Sequence, residues 1–260
     1  MIIGFVNAVG IKVIDVCDQF GQYVLFIMHA IWTMVSRRPK IEKLVVQMEN
    51  IGVDSFAISV LTGIFAGAVL TLQTYYGFTK FGSENMIGPV VALSLTRELG
   101  PVLTGLMVTG RSGSGIAAEI GTMRITEQID ALETLCIDVH QYLIVPRILA
   151  GVIILPFLTM FTMFFGIFGG YVVYVYYYGL NPVDFTEGIK NFLELEDVTG
   201  GLIKSSVFGF ILTSVGSFVG YGTRGGAKGV GLSTTQTVVV ASILILISNY
   251  FLAMWLFENV

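Results

Sequence analysis

Charge is scarce in this sequence. Only 12% of its residues are charged, against roughly a quarter in a soluble domain, which must face water somewhere. Histidine is scarcer still, with two in the chain. His29 and His140 stand alone, without a His-x-x-x-His or a Gly-x-Ser-x-Gly, so no catalytic constellation and no metal site is expected. The two cysteines, Cys17 and Cys136, lie far apart, and neither has a His or Cys at ligand spacing; this excludes a disulfide framework. The net charge of −4 says nothing about nucleic acid, but no basic patch with interleaved aromatics occurs, so no nucleic-acid partner is expected. The apolar start, Met1 to Phe5, has no basic region before it and no small-residue cleavage site after it, so no cleavable signal peptide is expected.

Apolar residues fill the space that charge leaves. They make up 54% of the chain, with 19 Phe and 31 Gly, and the mean hydropathy is +0.81. Glycine is enriched in transmembrane helices, where small residues let backbones approach. Crossing a hydrocarbon core of about 30 Å takes roughly 20 apolar residues in a helix. Five stretches are long enough: 51–76, 86–109, 142–178, 202–221 and 234–257. Few residues interrupt them: Asp54 and Gln73 in the first, Arg97 and Glu98 at the centre of the second, and Pro146, Arg147 and Pro156 in the third. The fold class is therefore an all-α integral membrane protein. It forms one domain over 1–260, with the transmembrane bundle in 46–260.

Residues 1–45 differ. Lys12, Asp15, Asp18 and Gln19 interleave with Phe5, Val9, Val13, Val16 and Phe20 at helical spacing, the pattern of a helix lying in the membrane interface. The next apolar stretch, 23–35, is too short to cross alone, and Arg37-Arg38-Pro39-Lys40 closes an interfacial elbow. Basic loop residues set orientation. Arg37, Arg38, Lys40 and Lys43 precede the first span, Arg111, Arg124 and Arg147 join the second to the third, and Arg224 and Lys228 join the fourth to the fifth. The alternate loops hold only Lys80, Lys190 and Lys204. Nine against three places the first set and the N-terminus in the cytoplasm, with the C-terminus on the other side.

The connection 110–147 is too patterned for a plain turn. From Thr122, Ile125, Ile129 and Leu132 share one stripe of a helix, with Glu127, Asp130 and Glu133 on its other faces. A docking helix for a soluble partner and a solvated loop helix fit this pattern equally. The stretch from Gly222 through Lys228 to Gly229 is not a phosphate loop, because it lacks Gly before the lysine and Ser or Thr after it. Any ATP must be hydrolysed on another chain.

The blocks Arg97-Glu98-Leu99-Gly100-Pro101, Gly110-Arg111-Ser112-Gly113-Ser114-Gly115, Ala118-Glu119-Ile120-Gly121-Thr122-Met123 and Thr126-Glu127-Gln128-Ile129-Asp130-Ala131-Leu132 resemble the MlaE-type permease family. These are membrane subunits of ABC transporters that work with MCE-domain lipid-binding proteins. A later block, from Tyr221 through Gly225-Gly226-Ala227 and Gly229-Val230-Gly231 to Thr234-Thr235, is similar to a second family block. The likeness runs from about residue 40 to the C-terminus. It implies a multi-pass protein of the bacterial inner membrane that forms a homodimer. Its expected partners are a cytoplasmic ABC ATPase using ATP and Mg, often a small STAS-domain protein, and a hexameric MCE ring on the periplasmic face. The implied activity is movement of phospholipid between the inner membrane and the MCE partner, maintaining outer-membrane lipid asymmetry. No cofactor is implied on this chain.

The resemblance also implies site residues. A coupling helix at about 119–135 would meet the ATPase through Glu119, Thr122, Arg124, Glu127, Asp130 and Glu133. Arg97 and Glu98 would line the lipid pocket, and Leu70, Gln73 and Phe78 its outer mouth. Asn249 stands where some members carry an acid, so an amide able to hydrogen-bond replaces one half of an ion pair.

From the residues alone, a charge at mid-membrane costs on the order of 2.5–3.5 kcal/mol and needs a partner. Neighbours on a helix point about 100° apart, so Arg97 and Glu98 cannot satisfy each other. A phospholipid headgroup or another helix would serve. Tyr75 and Tyr76 fit an aromatic belt at the interface. An ATP-independent secondary transporter is the alternative function. One central acid and no visible internal repeat argue against it.

Overall fold

The computed structural model describes residues 2–37 and 40–257, with side chains described for all of these but 2–9, 11–13, 15–16 and 257. Its elements are α1 (Ile2–Ser36), α2 (Ile41–Phe78), α3 (Glu84–Ile125), α4 (Gln128–Thr134), α5 (His140–Tyr177), α6 (Pro182–Phe192), α7 (Leu195–Tyr221) and α8 (Gly226–Phe257). No strand occurs among the described residues. The helices long and apolar enough to span a membrane are α2, α3, α5, α7 and α8, the five expected. Their ends overrun the apolar stretches, because helical hydrogen bonding continues into charged sequence wherever no breaker stands.

The N-terminal segment is one continuous helix, not an amphipathic piece followed by a separate short one. Tyr23, Phe26, Ala30 and Thr33 form its inner stripe, and the last three are buried. The Tyr23 hydroxyl is 2.8 Å from Ser214 Oγ on α7, and the Phe26 ring lies edge-on to Phe218. On the outer side Leu25, Met28, Trp32 and Val35 are exposed. Of the amphipathic pattern, the side chains of Phe5, Val9, Lys12, Val13, Asp15 and Val16 lie outside the described residues, as do Arg38 and Pro39. Asp18, Gln19 and Phe20 are exposed.

The centre of the bundle is α7, with 61% of its most apolar window buried against 17% for α8. In hydrocarbon no hydrophobic effect drives helices together, so close backbone approach and polar bonds must do so. The pairing of α2 with α5 uses both, since the Thr162 hydroxyl of α5 reaches the Ser59 carbonyl of α2 at 3.4 Å. A Cβ on Gly67 would overlap the Gly166 carbonyl oxygen. Ser55 on α2 bonds Ser112 on α3 at 3.0 Å, and Thr104 on α3 donates to Thr162 on α5 at 2.8 Å.

Three sequence expectations change. Residues 119–135 are not one helix: α3 carries the chain to Ile125, Glu127 takes a left-handed φ of 60°, and α4 starts afresh. The β-branched pair Ile125-Thr126, weak in helix propensity, sits at the break. Arg147 is not a loop residue but lies inside α5, 3% exposed, and bonds Glu119 at 2.7 Å. Lys204, counted in an outer loop, is fully buried in α7. Without these two the basic residues still divide eight to two, so the bias keeps its sign.

Gly67→Ala should lower the unfolding temperature of the detergent-solubilised protein, by an overpacking cost of about 1–3 kcal/mol. Gly77→Ala, where a Cβ meets nothing within 4 Å, should leave it level or raise it.

Candidate functional site

The helix α3 changes pitch where its charges sit. Leu95–Leu99 is a π-turn, followed at once by Gly100 and Pro101. The Gly100 N–H reaches back five residues to Leu95 O. Pro101 has no N–H, so the Arg97 carbonyl, four residues earlier, loses its helical donor. The Lys204 ammonium on α7 supplies the missing hydrogen bond at 3.0 Å. Gly201 makes this reach possible, since a Cβ there would overlap the Thr96 carbonyl oxygen.

The two charges of α3 find separate partners on α7. Arg97 Nε donates to Asp197 Oδ1 at 2.5 Å. Glu98 Oε1 accepts from Lys204 Nζ at 2.6 Å, and its Oε2 accepts from Asn249 Nδ2 of α8 at 2.9 Å. Three helices thus meet on two adjacent residues, and the ion pairs sum to zero charge. Asp197 is fixed twice, because its other oxygen accepts the Glu194 N–H in the capping box that starts α7. The partners on α7 are sealed, at 2% exposure for Asp197 and 0% for Lys204. The α3 side chains are open, at 32% for Arg97 and 40% for Glu98. A zwitterionic headgroup approaching from outside would meet a guanidinium and a carboxylate side by side, suited to phosphate and to ammonium respectively.

Of the other pocket candidates, Leu70 and Phe78 pack against the buried cluster of Ile87, Val91 and Leu95, whose fringe includes Leu99 beside Glu98. Gln73 is exposed on α2 and makes no hydrogen bond among the described residues. Tyr75 stacks on Tyr178, with ring centroids 3.6 Å apart, while Tyr76 is exposed.

The residues expected to meet a motor are largely engaged within the chain. Glu119 pairs with Arg147, Arg124 pairs with Asp130 at 2.6 Å across the α3–α4 break, and Glu133 accepts from the Tyr221 hydroxyl at 3.1 Å. The Thr122 hydroxyl bonds back to Ala118 O, and Glu127 is exposed at the corner. Ile129 is buried and anchors α4, with Ile125 and Leu132 half-buried.

Reading the sequence missed Lys204 and Asp197. The signal was there: they stand seven residues apart, two turns along one face of α7, with opposite signs. Each faces the opposite charge in the pair Arg97-Glu98.

A family model described as "Permease MlaE" matches residues 44–255. The "Probable ABC transporter permease protein" of Rickettsia bellii is 45% identical over 259 residues, covering 99% of this chain and 100% of that one. The "Intermembrane phospholipid transport system permease protein MlaE" of Haemophilus influenzae is 38% identical over 258 residues, covering 99% of both chains. The chloroplastic protein TRIGALACTOSYLDIACYLGLYCEROL 1 of Arabidopsis thaliana is 39% identical over 213 residues, covering 82% of this chain and 61% of that one.

Removing one member of a buried ion pair costs about 3–5 kcal/mol, because the other is left uncompensated. Glu98→Leu should therefore destabilise the protein by about 3 kcal/mol, the low end, since the carboxylate is part-exposed and screened. Adding Lys204→Met should restore most of the loss, read as unfolding temperature in lipid nanodiscs.

Proposed function

The chain belongs to the MlaE permease family, and from that premise we propose that it is the permease subunit of an ABC transporter moving phospholipid between the inner membrane and a periplasmic MCE-domain partner. It works as a homodimer, with ATP and Mg bound by a separate cytoplasmic ATPase, often alongside a STAS-domain protein. Its activity maintains outer-membrane lipid asymmetry. The N-terminus is cytoplasmic and the C-terminus periplasmic, in keeping with the basic-residue bias. α1 serves as an interfacial elbow, which its exposed apolar side suits.

The observation that carries this reading is the pair of part-exposed ions, Arg97 and Glu98, each held from behind by a buried partner. Two opposite charges side by side, each satisfied from behind, leave one guanidinium and one carboxylate open to a headgroup. Leu70 and Phe78, packed against the cluster of Ile87, Val91 and Leu95, supply apolar wall toward the mouth, and Gln73 a polar contact there. The corner of α3 and α4, with Glu119, Thr122, Arg124, Glu127, Asp130 and Glu133, is the surface for the ATPase. The exposed apolar residues of α8, among them Ile243, Ile247, Tyr250 and Phe251, are available to a second copy.

The protein reconstituted with its ATPase should deliver labelled phospholipid to an MCE acceptor only with ATP. Transport by the subunit alone without ATP would replace this reading with secondary transport. Arg97→Lys keeps the charge toward Asp197 but loses the planar fork, and should slow transfer about tenfold, the worth of one charge-assisted hydrogen bond. Glu127→Lys should release the ATPase in a pull-down while the unfolding temperature of the permease stays unchanged.

A further inference from the structure

A cavity of about 570 Å³ lies far from Arg97 and Glu98. It is an open basin lined by α1, the end of α3, the start of α5 and the α7–α8 junction. Twenty-six residues of α3 separate Glu98 from Arg124 on its wall, about 40 Å at 1.5 Å per residue. The cavity therefore belongs to the opposite end of the bundle, where the basic loops cluster.

Its walls are of two kinds. Polar Arg124, Arg224, His29, His140, Gln22 and Gln236 share the lining with apolar Leu25, Phe26 and Phe218, and the Phe26 ring packs 5.1 Å from that of His140. No carboxylate lines it. Arg124 is neutralised by Asp130, whereas Arg224 is exposed and makes no ion pair among the described residues. One uncompensated guanidinium with amide and imidazole donors around it suits a monoanionic phosphodiester.

A metal ion fits less well. His29, His140 and Asp138 hold ligand atoms within 4.8 Å of one another, but the two imidazoles stack at 4.1 Å and 4°. Lone pairs in parallel rings run side by side and do not converge on one ion. Asp138 is also already committed, to Arg37 at 3.3 Å and to the His140 N–H at 3.0 Å.

The apolar lining indicates what carries the phosphate. Leu25 lines the cavity and continues outward, through Met28 and Trp32, into the exposed apolar side of α1. Farther along α1, an apolar recess of about 160 Å³ opens between Ala30, Ile31 and Met34 on one side and Ile148, Val152 and Phe210 on the other. A polar basin that runs into an apolar track matches a headgroup with acyl chains attached.

We propose that this basin binds the phosphodiester headgroup of an anionic phospholipid from the leaflet on the basic-loop side, with Arg224 as the principal contact and the acyl chains along α1. The bound lipid joins α1 to Arg124, whose partner Asp130 lies on α4. Occupancy is thereby sensed by the segment proposed to meet the ATPase. The site is separate from Arg97 and Glu98 and does not require that they hold cargo.

The test uses the full chain in phosphatidylethanolamine nanodiscs doped with photoactivatable phosphatidylglycerol, with crosslinks mapped by mass spectrometry. Labelling is expected at 19–29 and 222–236, and Arg224→Glu should cut it about tenfold, as for loss of one charge-assisted hydrogen bond. Arg224→Gln, which removes the charge without reversing it, should give a loss of the same sign and stands in for Arg224→Glu where that variant fails to insert. Labelling near residues 97–98 is read in the same spectra, so failure of the cargo site and failure of this one are distinguishable. Competition by millimolar inorganic phosphate would keep the phosphate chemistry but assign the site to a soluble anion, overturning the lipid. Equal labelling by a photoactivatable diacylglycerol, or none lost in either Arg224 variant, would overturn the site itself.

Discussion

An ammonium sealed inside a helical bundle must find its acceptors there. Lys204, with none of its surface exposed, takes two of them from a single turn of α3: the carboxylate of Glu98 and the carbonyl of Arg97. The second acceptor exists because Pro101 withholds the N–H that a regular helix would have used. The π-turn at Leu95–Leu99 places both acceptors on the side facing α7. Gly201 lets the α7 backbone lie close enough to reach them. Proline, π-turn, glycine and lysine thus act as one device.

The same constraint orders the rest of the bundle. α7 carries both Asp197 and Lys204, so it has to lie against α3, and it is the most enclosed span. α8 contributes a single amide to the cluster, from Asn249, and stays largely peripheral. The α2–α5 pair, which carries no charge of the cluster, is joined by glycine contacts and by the Thr162 hydroxyl bond to the Ser59 carbonyl instead. Ions nearer the basic-loop end repeat the pattern at lower burial, with Arg111 bonding Asp54 at 2.9 Å and both partly exposed.

The spans were legible because hydrocarbon imposes a length and an apolar composition that twenty residues either meet or fail. The pairing of polar residues was not, because it depends on which faces of distant helices meet. Lys204 sits near the start of its apolar stretch, and hydropathy alone assigns such a residue to a loop. Arg147 was misplaced for the same reason. The break at Thr126–Glu127 escaped because apolar periodicity continues across it, from Ile125 to Ile129, while one left-handed residue redirects the chain. The loop counted for Lys190 contains α6, where Asn181 caps the helix by accepting the Val183 N–H at 3.0 Å, Pro182 opens it, and Phe185 anchors it in the core. Arg97 and Glu98 stood out since two charges inside an apolar run have few explanations. Asn249 was legible too, as an amide able to bond where an acid would pair.

Under the proposed role, holding a headgroup and letting it go make opposite demands on Arg97 and Glu98. A bare guanidinium at this depth would bind phosphate tightly and release it slowly. Here Asp197 and Lys204 already neutralise Arg97 and Glu98 from behind, so a headgroup adds bonds to ions that are partly satisfied. The gain on binding is correspondingly smaller, and the empty site leaves no uncompensated charge in the membrane. Under the proposed role, this allows the site to stand empty between cargoes without a large energetic cost. A small displacement of α7 relative to α3 would loosen both pairs at once, since one helix holds both partners. Coupling to a motor at the far end of α3 then needs no separate signal at the site, only a shift between two helices that pack along their length.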